Sequence, residues 1–174
     1  VETARRALAA RPKLDFAVQK TELVTRFPLF AEMPEDARLR LAGQLRTVYA
    51  EPGDVLLEQD AVARSVWFIA SGAVEVTQSG QVTRLGRGEM FGELALLLRR
   101  PRRARVTAIT HSTLLELEEA RFMELMRANP ALTTLVEARA AKRGLTLDPA
   151  IFQPPPPPRR GPFAWLAQVL HPAE

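Results

Sequence analysis

Phe91-Gly92-Glu93-Leu94-Ala95-Leu96-Leu97, followed three residues later by Pro101-Arg102-Arg103-Ala104-Arg105-Val106, brings a glycine, a carboxylate and a forked cation into one short stretch. That combination suits a sugar phosphate. Gly92, lacking Cβ, lets backbone approach a ligand closely. A helical turn opening at Glu93 would aim free backbone N–H groups at an anion. Glu93 would accept hydrogen bonds from sugar hydroxyls, and the Arg102 guanidinium matches the oxygens of a phosphate. Taken singly, Glu93 also reads as an ordinary surface carboxylate and Gly92 as a turn glycine; the combination with Pro101-Arg102-x-Ala104 favours a site.

Around this stretch the chain reads as strands. Val55–Glu58, Val66–Ile69, Ala73–Thr77, Val82–Leu85, Val106–Ile109 and Leu114–Leu117 are β-branched or alternating, and Gly53, Gly72, Gly80, Gly86 and Gly88 separate them. Many short strands at close spacing predict an antiparallel β-roll or jelly-roll barrel over residues 46–118. Helical patterns flank it. Glu2–Ala10 and Leu14–Arg26 read as helices, the second with Leu14, Val18 and Leu23 inward, and Pro34-Glu35-Asp36 opens a third that runs through Leu45. After the strands, Phe122, Leu125 and Met126 share one face of a helix beginning at Glu119. Pro130 breaks that run before a last helix that ends near Arg143 and Gly144. The expected class is therefore α+β: an N-terminal helical segment (1–45), the roll (46–118) with its ligand cassette (91–105), two C-terminal helices (119–144) and a proline-rich tail (145–174).

The tail differs in kind. Pro154–Pro158 reads as an extended polyproline spacer, Arg159-Arg160 follow, and Phe163–Leu170 is a short amphipathic stretch, so the segment reads as a floppy tail or as a linker with a docking peptide. The 174 residues are 47% hydrophobic and 25% charged, enough for one domain with a core but not for two. No apolar run approaches the roughly 20 residues that cross a bilayer, and Val1-Glu2-Thr3-Ala4-Arg5-Arg6 lacks the apolar stretch of a secretory signal. A start without Met, already in a helical pattern, points to a piece of a longer polypeptide, although removal of an initiator Met gives the same start. With no cysteine, disulfides and thiolate chemistry are excluded.

The cassette resembles the phosphate-binding cassette of the cyclic-nucleotide-binding domain family, found in cyclic-nucleotide-gated channels, protein kinase regulatory subunits and the catabolite activator protein. The family pattern Phe-Gly-Glu-Leu/Ile-Ala-Leu, then Pro-Arg-x-Ala, is matched at Phe91, Gly92, Glu93, Leu94, Ala95, Leu96, Pro101, Arg102 and Ala104. Pro28-Leu29-Phe30, Glu51-Pro52-Gly53-Asp54 and Ser71-Gly72-Ala73-Val74 also stand where the family has similar turns, so the resemblance covers roughly Phe27 to Arg143. It implies a ligand set of Phe91, Gly92, Glu93, Leu94, Ala95, Arg102, Arg103 and Ala104. It also implies that the last two helices are the family's B and C helices, the C helix closing over the base as a lid with Arg139, Lys142 and Arg143 as candidate contacts. Basic residues near a helix C-terminus are equally what the dipole favours.

One position departs from the pattern. After the phosphate arginine the family often has Ala, Ser or Thr, with Thr suited to guanine, whereas this chain has Arg103. That cation could stack on a purine, reach solvent, or pair with Glu75 or Glu118. Without the hydroxyl, cAMP is expected over cGMP as the regulatory ligand, and no cofactor or metal is implied.

Other classes fit less well. Metal-assisted hydrolysis of a phosphodiester needs several converging ligands, and the chain has only His111 and His171, so no enzyme is expected. Net charge is +4 and the isoelectric point about 10.3, with five arginines between Arg99 and Arg105. Nucleic-acid binding in the catabolite-activator manner would need a helix-turn-helix after the last helix, for which 145–174 is too short and too proline-rich. The basic loop reads as solvated with Arg102 turned inward, or as attracted to an anionic membrane surface. By the resemblance, the expected mechanism is a ligand-operated switch: the lid closes on the base and repacks against Leu14–Leu45. The effector would then be an N-terminal membrane or soluble domain of the same polypeptide, preferably a channel or transporter in the cell membrane with this part on its cytoplasmic face. The competing expectation is a ligand-independent interaction module whose proline-rich tail recruits a partner.

Overall fold

The computed structural model describes residues 15–25, 27, 30–31 and 33–153. The helix expected over Glu2–Ala10, the Pro28-Leu29 turn, the polyproline run and the Phe163–Leu170 stretch lie outside these residues, as do Leu14 and the side chain of Val18.

Among the described side chains of helix α1 (Asp15–Thr25), Val24 is fully buried and Leu23 only in part. Helix α2 (Glu35–Gln44) carries Glu35 and Asp36 in its first turn, where the macrodipole favours acids. It ends at Leu45, whose extended backbone (φ −77°, ψ 139°) feeds the first strand directly. That strand, β1 (Arg46–Ala50), stands at the start of the roll expected over residues 46–118, just before the Glu51-Pro52-Gly53-Asp54 turn. Thr47, Val48 and Ala50 are all buried, so this strand is covered on both faces.

Seven more strands follow: β2 (Val55–Leu57), β3 (Ser65–Ser71), β4 (Ala73–Gln78), β5 (Gln81–Gly86), β6 (Met90–Phe91), β7 (Arg105–Ala108) and β8 (Ser112–Glu118), with the short helix α3 (Glu93–Leu97) after β6. They form two antiparallel four-stranded sheets, in the orders β1-β8-β3-β6 and β2-β7-β4-β5. The expected α+β roll is the observed one. The tight passage from β3 to β4 needs Gly72: at φ +86°, a Cβ there would lie 2.6 Å from the His111 carbonyl.

Two apolar clusters result. Val48, Ile69, Val74, Phe91, Val106 and Leu114 fill the roll between the sheets. The outer face of the first sheet, through Val66, Phe68, Leu115 and Leu117, packs against the helices. There Phe68 meets Phe27 and Phe30 edge-on at 5.8 and 5.3 Å, geometry that adds about 0.5–1.5 kcal/mol per pair beyond burial. Helices α4 (Glu119–Ala128) and α5 (Pro130–Lys142) join the same cluster through Phe122, Leu125 and Met126, and through Leu132, Val136 and Ala140. The N-terminal and C-terminal helices thus share one continuous core.

The described residues after Gly144 pack on the domain. Gly144 (φ +67°) stops α5 as anticipated, but Leu147 beyond it is buried and Leu145, Ile151 and Phe152 pack partly on the helical core. A one-turn 3-10 helix (Pro149–Phe152), capped by the Asp148 carboxylate accepting from the Ala150 N–H at 2.9 Å, closes this segment. Its apolar residues outweigh its proline and place it with the fold.

Candidate functional site

The chain turns sharply between β6 and α3, and everything in the site depends on that turn. Gly92, the N-cap of α3, has φ +89° and ψ −6°, a left-handed conformation that side chains resist. It is crowded as well as bent: an added Cβ would lie 2.6 Å from Arg102 Nη1. The next five residues, Glu93 to Leu97, are all buried. Leu94, Leu96 and Leu97 belong to the helical-side core and hold the short helix in place, carrying Glu93 into the interior with them.

Glu93 is only 1% exposed, and neither of its carboxylate oxygens has a hydrogen-bond partner. Its charge is answered from the last helix. Arg139 Nε lies 3.6 Å and Arg143 Nη1 4.0 Å from Glu93 Oε1, while Arg139 Nη2 donates to the Met90 carbonyl at 2.8 Å. A buried carboxylate with ion pairs but no donors is costly unless another polar group completes it.

Arg102, 4% exposed, donates through Nη1 to the Gly92 carbonyl at 2.6 Å and through Nη2 to the Ser65 carbonyl at 2.5 Å, leaving Nε without a partner. Backbone contacts fix its loop too: Arg102 N–H donates to the Ala61 carbonyl, and Asp60 N–H to the Arg102 carbonyl, both at 2.8 Å. Burial pulls the Arg102 pKa below the ordinary guanidinium value, and the negative charges of Glu93 and Glu116 oppose that pull. Arginine stays protonated at neutral pH all the same. Arg99, Arg100 and Arg103 of the same loop are exposed, as is Arg105 at the start of β7, which faces Glu58 at 3.6 Å. Of the five arginines, Arg102 is the one turned inward.

These groups border a cavity of about 520 Å³. Phe91, Gly92, Glu93, Leu94, Ala95, Arg102, Arg103 and Ala104 all line it, and Lys142 and Arg143 reach it from α5. Arg139 does not line it; it approaches Glu93 beside Met90. Arg103 is exposed on the wall, and the pairing with Glu75 or Glu118 is not made: Glu75 lies 3.6 Å from Arg84, its cross-strand neighbour, and Glu118 is at the surface.

The wall opposite the cassette is absent from the sequence-based site. Gln78, Ser79, Gln81 and Thr83 line it from the β4–β5 hairpin, above an apolar floor of Leu57, Val76, Leu85 and Val106. Period-two spacing puts Gln81, Thr83 and Leu85 on one face of β5, a signal that identifies the face but not what it looks onto. The arrangement can therefore hold an anion at Arg102, hydroxyls at Glu93 and a flat, partly polar group between hairpin and lid.

The comparisons with known proteins bear on the family and the fold. The family model described as "Cyclic nucleotide-binding domain" matches residues 47–129. A cyclic nucleotide-gated potassium channel of Rhizobium etli is 31% identical over 126 residues, 72% of this chain, which spans only 36% of the channel. Among solved structures, the catabolite activator protein of Thermus thermophilus superposes with a TM-score of 0.58 at 29% identity, covering 67% of this chain and 57% of that one. The regulatory domain of Toxoplasma gondii PKA with cAMP has a TM-score of 0.66 over 74% of this chain and 51% of its own, at 23% identity, a likeness of fold alone. With its two-sheet roll, buried glutamate and inward arginine, this chain belongs to the cyclic nucleotide-binding domain family.

Proposed function

We propose that the chain is a regulatory domain that binds a 3′,5′-cyclic nucleotide in the 520 Å³ cavity and passes the binding event to an attached effector. The observation that carries the reading is Glu93: a carboxylate 1% exposed, with no donor on either oxygen, on the wall of a cavity that also presents Arg102. Ribose hydroxyls supply the missing donors. The cyclic phosphate supplies the anion for the unpartnered Arg102 Nε–H, with the Ala95 and Ala104 backbone bordering the same space. Phe91 and Leu94 pack behind the sugar, and the base lies between the hairpin, Arg103 and the lid residues Lys142 and Arg143.

The switch follows from a shared carboxylate. Arg139 and Arg143 reach Glu93 from α5, so a ribose that bonds Glu93 alters the attraction holding the lid. Because α5 packs in the same cluster as Val24, Phe27 and Phe30, a shift of the lid is felt by the N-terminal helices. The ligand moves this equilibrium only by its differential affinity for the two lid positions. We take the effector to be an N-terminal channel or transporter domain in a membrane, a reading supported by the Rhizobium etli relative's being a cyclic nucleotide-gated channel, and we take the basic loop to face the anionic membrane surface. Among the described residues no helix is long and apolar enough to cross a membrane. We favour cAMP over cGMP, since Arg103 offers no hydroxyl for guanine.

Calorimetric titration with cAMP and cGMP tests the reading. Micromolar or tighter binding that Arg102→Ala abolishes supports it, and a stronger signal with cAMP supports the base preference. Absence of heat and of any thermal shift with both nucleotides overturns it in favour of a ligand-independent assembly role.

A further inference from the structure

Arg102 borders two cavities. Behind it, away from the cassette, lies a second space of about 620 Å³, lined among others by Arg46, Ser65, Trp67, Arg102 and Glu116. Glu116 reaches this space from β8, where it stands opposite Trp67 of β3 on one side and Arg46 of β1 on the other. Trp67 in turn stands opposite Phe91, the rings stacked at 6.1 Å and 6°, so one row of side chains crosses the sheet from the nucleotide cavity to Arg46. Arg46 Nε donates to Glu116 Oε2 at 2.7 Å, and its Nη2 also meets that oxygen. The Glu116 side chain is 16% exposed and that of Arg46 59%, so the pair joins a half-enclosed acid to a solvated base.

We propose that Glu116 is a positioning residue for the phosphate arginine: a rear counter-charge that competes with the phosphate for Arg102, with Arg46 setting how strongly it competes. The inference rests on the reading of the front cavity as a cyclic-nucleotide site. Without a phosphate, Arg102 is balanced by Glu93 and Glu116 and tied to the Ser65 and Gly92 carbonyls. A phosphate arriving in front adds a third negative charge, which Glu116 repels from behind across the buried Arg102. Arg46 cancels part of that repulsion by pairing with Glu116. It is also the residue that follows Leu45, the C-cap of α2, so any displacement of α2 that draws Arg46 away strengthens Glu116 and weakens nucleotide binding. By reciprocity, nucleotide binding favours the position of α2 in which the pair is made.

The signs separate this role from a structural ion pair. A pair that only holds the sheet together predicts that losing either partner weakens binding alike. The rear counter-charge predicts opposite effects. Glu116→Gln, similar in shape, is expected to tighten cAMP roughly three- to tenfold, and Arg46→Gln to weaken it by a similar factor. In the double variant Arg46→Gln adds little to Glu116→Gln. Calorimetric titration of the four proteins with cAMP, with melting temperatures measured alongside, is the test. If wild type binds and both single variants weaken, or neither changes, or the signs are reversed, the inference falls while the cyclic-nucleotide reading stands. If wild type shows no binding, both fall.

Discussion

Arg139 Nε approaches Glu93 Oε1 to 3.6 Å across 46 positions of sequence, joining the last helix to the buried end of α3. Glu93 is buried and Arg139 is 24% exposed, so the pair is enclosed on its acidic side. Removing one partner of such a pair leaves an unpaired buried charge, which costs more than the pair contributes. Arg139→Ala is expected to lower stability by about 1–3 kcal/mol, Arg143 at 4.0 Å limiting the loss. Chemical denaturation measures it, and Glu93→Gln in the same background should recover most of it. A loss that persists with the charge removed would assign Arg139 to packing instead.

Glu93→Gln alone should trade affinity for stability. Replacing an undonated buried carboxylate by an amide relieves part of its desolvation, so the melting temperature should hold or rise. Nucleotide affinity should fall by about tenfold to a hundredfold, because hydrogen bonds to a charged acceptor are worth about 1.5–3 kcal/mol. Calorimetry and a thermal melt on the same sample read both; affinity unchanged with stability raised would remove Glu93 from the ligand.

Arg102 offers a contrast between charge and shape. Its two Nη groups reach carbonyls on different elements, Gly92 at the start of α3 and Ser65 in β3. A lysine keeps the charge but has no planar fork to span them. Arg102→Lys should therefore lose most of the phosphate affinity and about 1–3 kcal/mol of stability through the unsatisfied carbonyls. Retention of wild-type affinity would mean that the site needs only a point charge.

The cassette was legible because its parts are local. Gly92, Glu93 and Arg102 lie within eleven positions, and each requirement is visible in residue type: no Cβ, an acceptor, a fork. The strands were legible as β-branched or alternating runs, β3 included although it is covered on both faces. β1 was legible only as the start of the roll, because it follows α2 with Leu45 alone between them. The links from Glu93 to Arg139 and from Arg46 to Glu116 depend on how a distant helix is rotated and on strand register, neither of which a pattern of residue types records. Gln78, Gln81 and Thr83 look like any exposed hairpin until the cassette faces them.

Gly92→Ala isolates the turn from the chemistry. The change adds one methyl where φ is +89° and where Arg102 Nη1 would be 2.6 Å away. Backbone strain of this kind costs of order 1–3 kcal/mol, and the clash displaces the guanidinium from the Gly92 carbonyl. Stability and affinity should therefore fall together, unlike in Glu93→Gln. Denaturation and titration of the two variants distinguish a scaffold role from a ligand role.

Leu147 tests whether the segment after Gly144 belongs to the domain. Composition assigns it to a proline-rich tail, yet Leu147 is 6% exposed in the cluster that contains Phe122, Val136 and Ala140. If it seals the base of the lid helices, Leu147→Ala should cost about 2–4 kcal/mol, the usual range for a leucine cavity. The loss should also loosen α5, since Leu145 N–H donates to the Ala140 carbonyl at 3.0 Å and ties this segment to the end of the helix. Hydrogen exchange in Pro130–Lys142 should then speed up more than in the sheets, and nucleotide affinity should weaken without any ligand contact having been changed. Uniform exchange and full stability in Leu147→Ala would show the segment to be dispensable and would leave the lid anchored by Leu132, Val136 and Ala140.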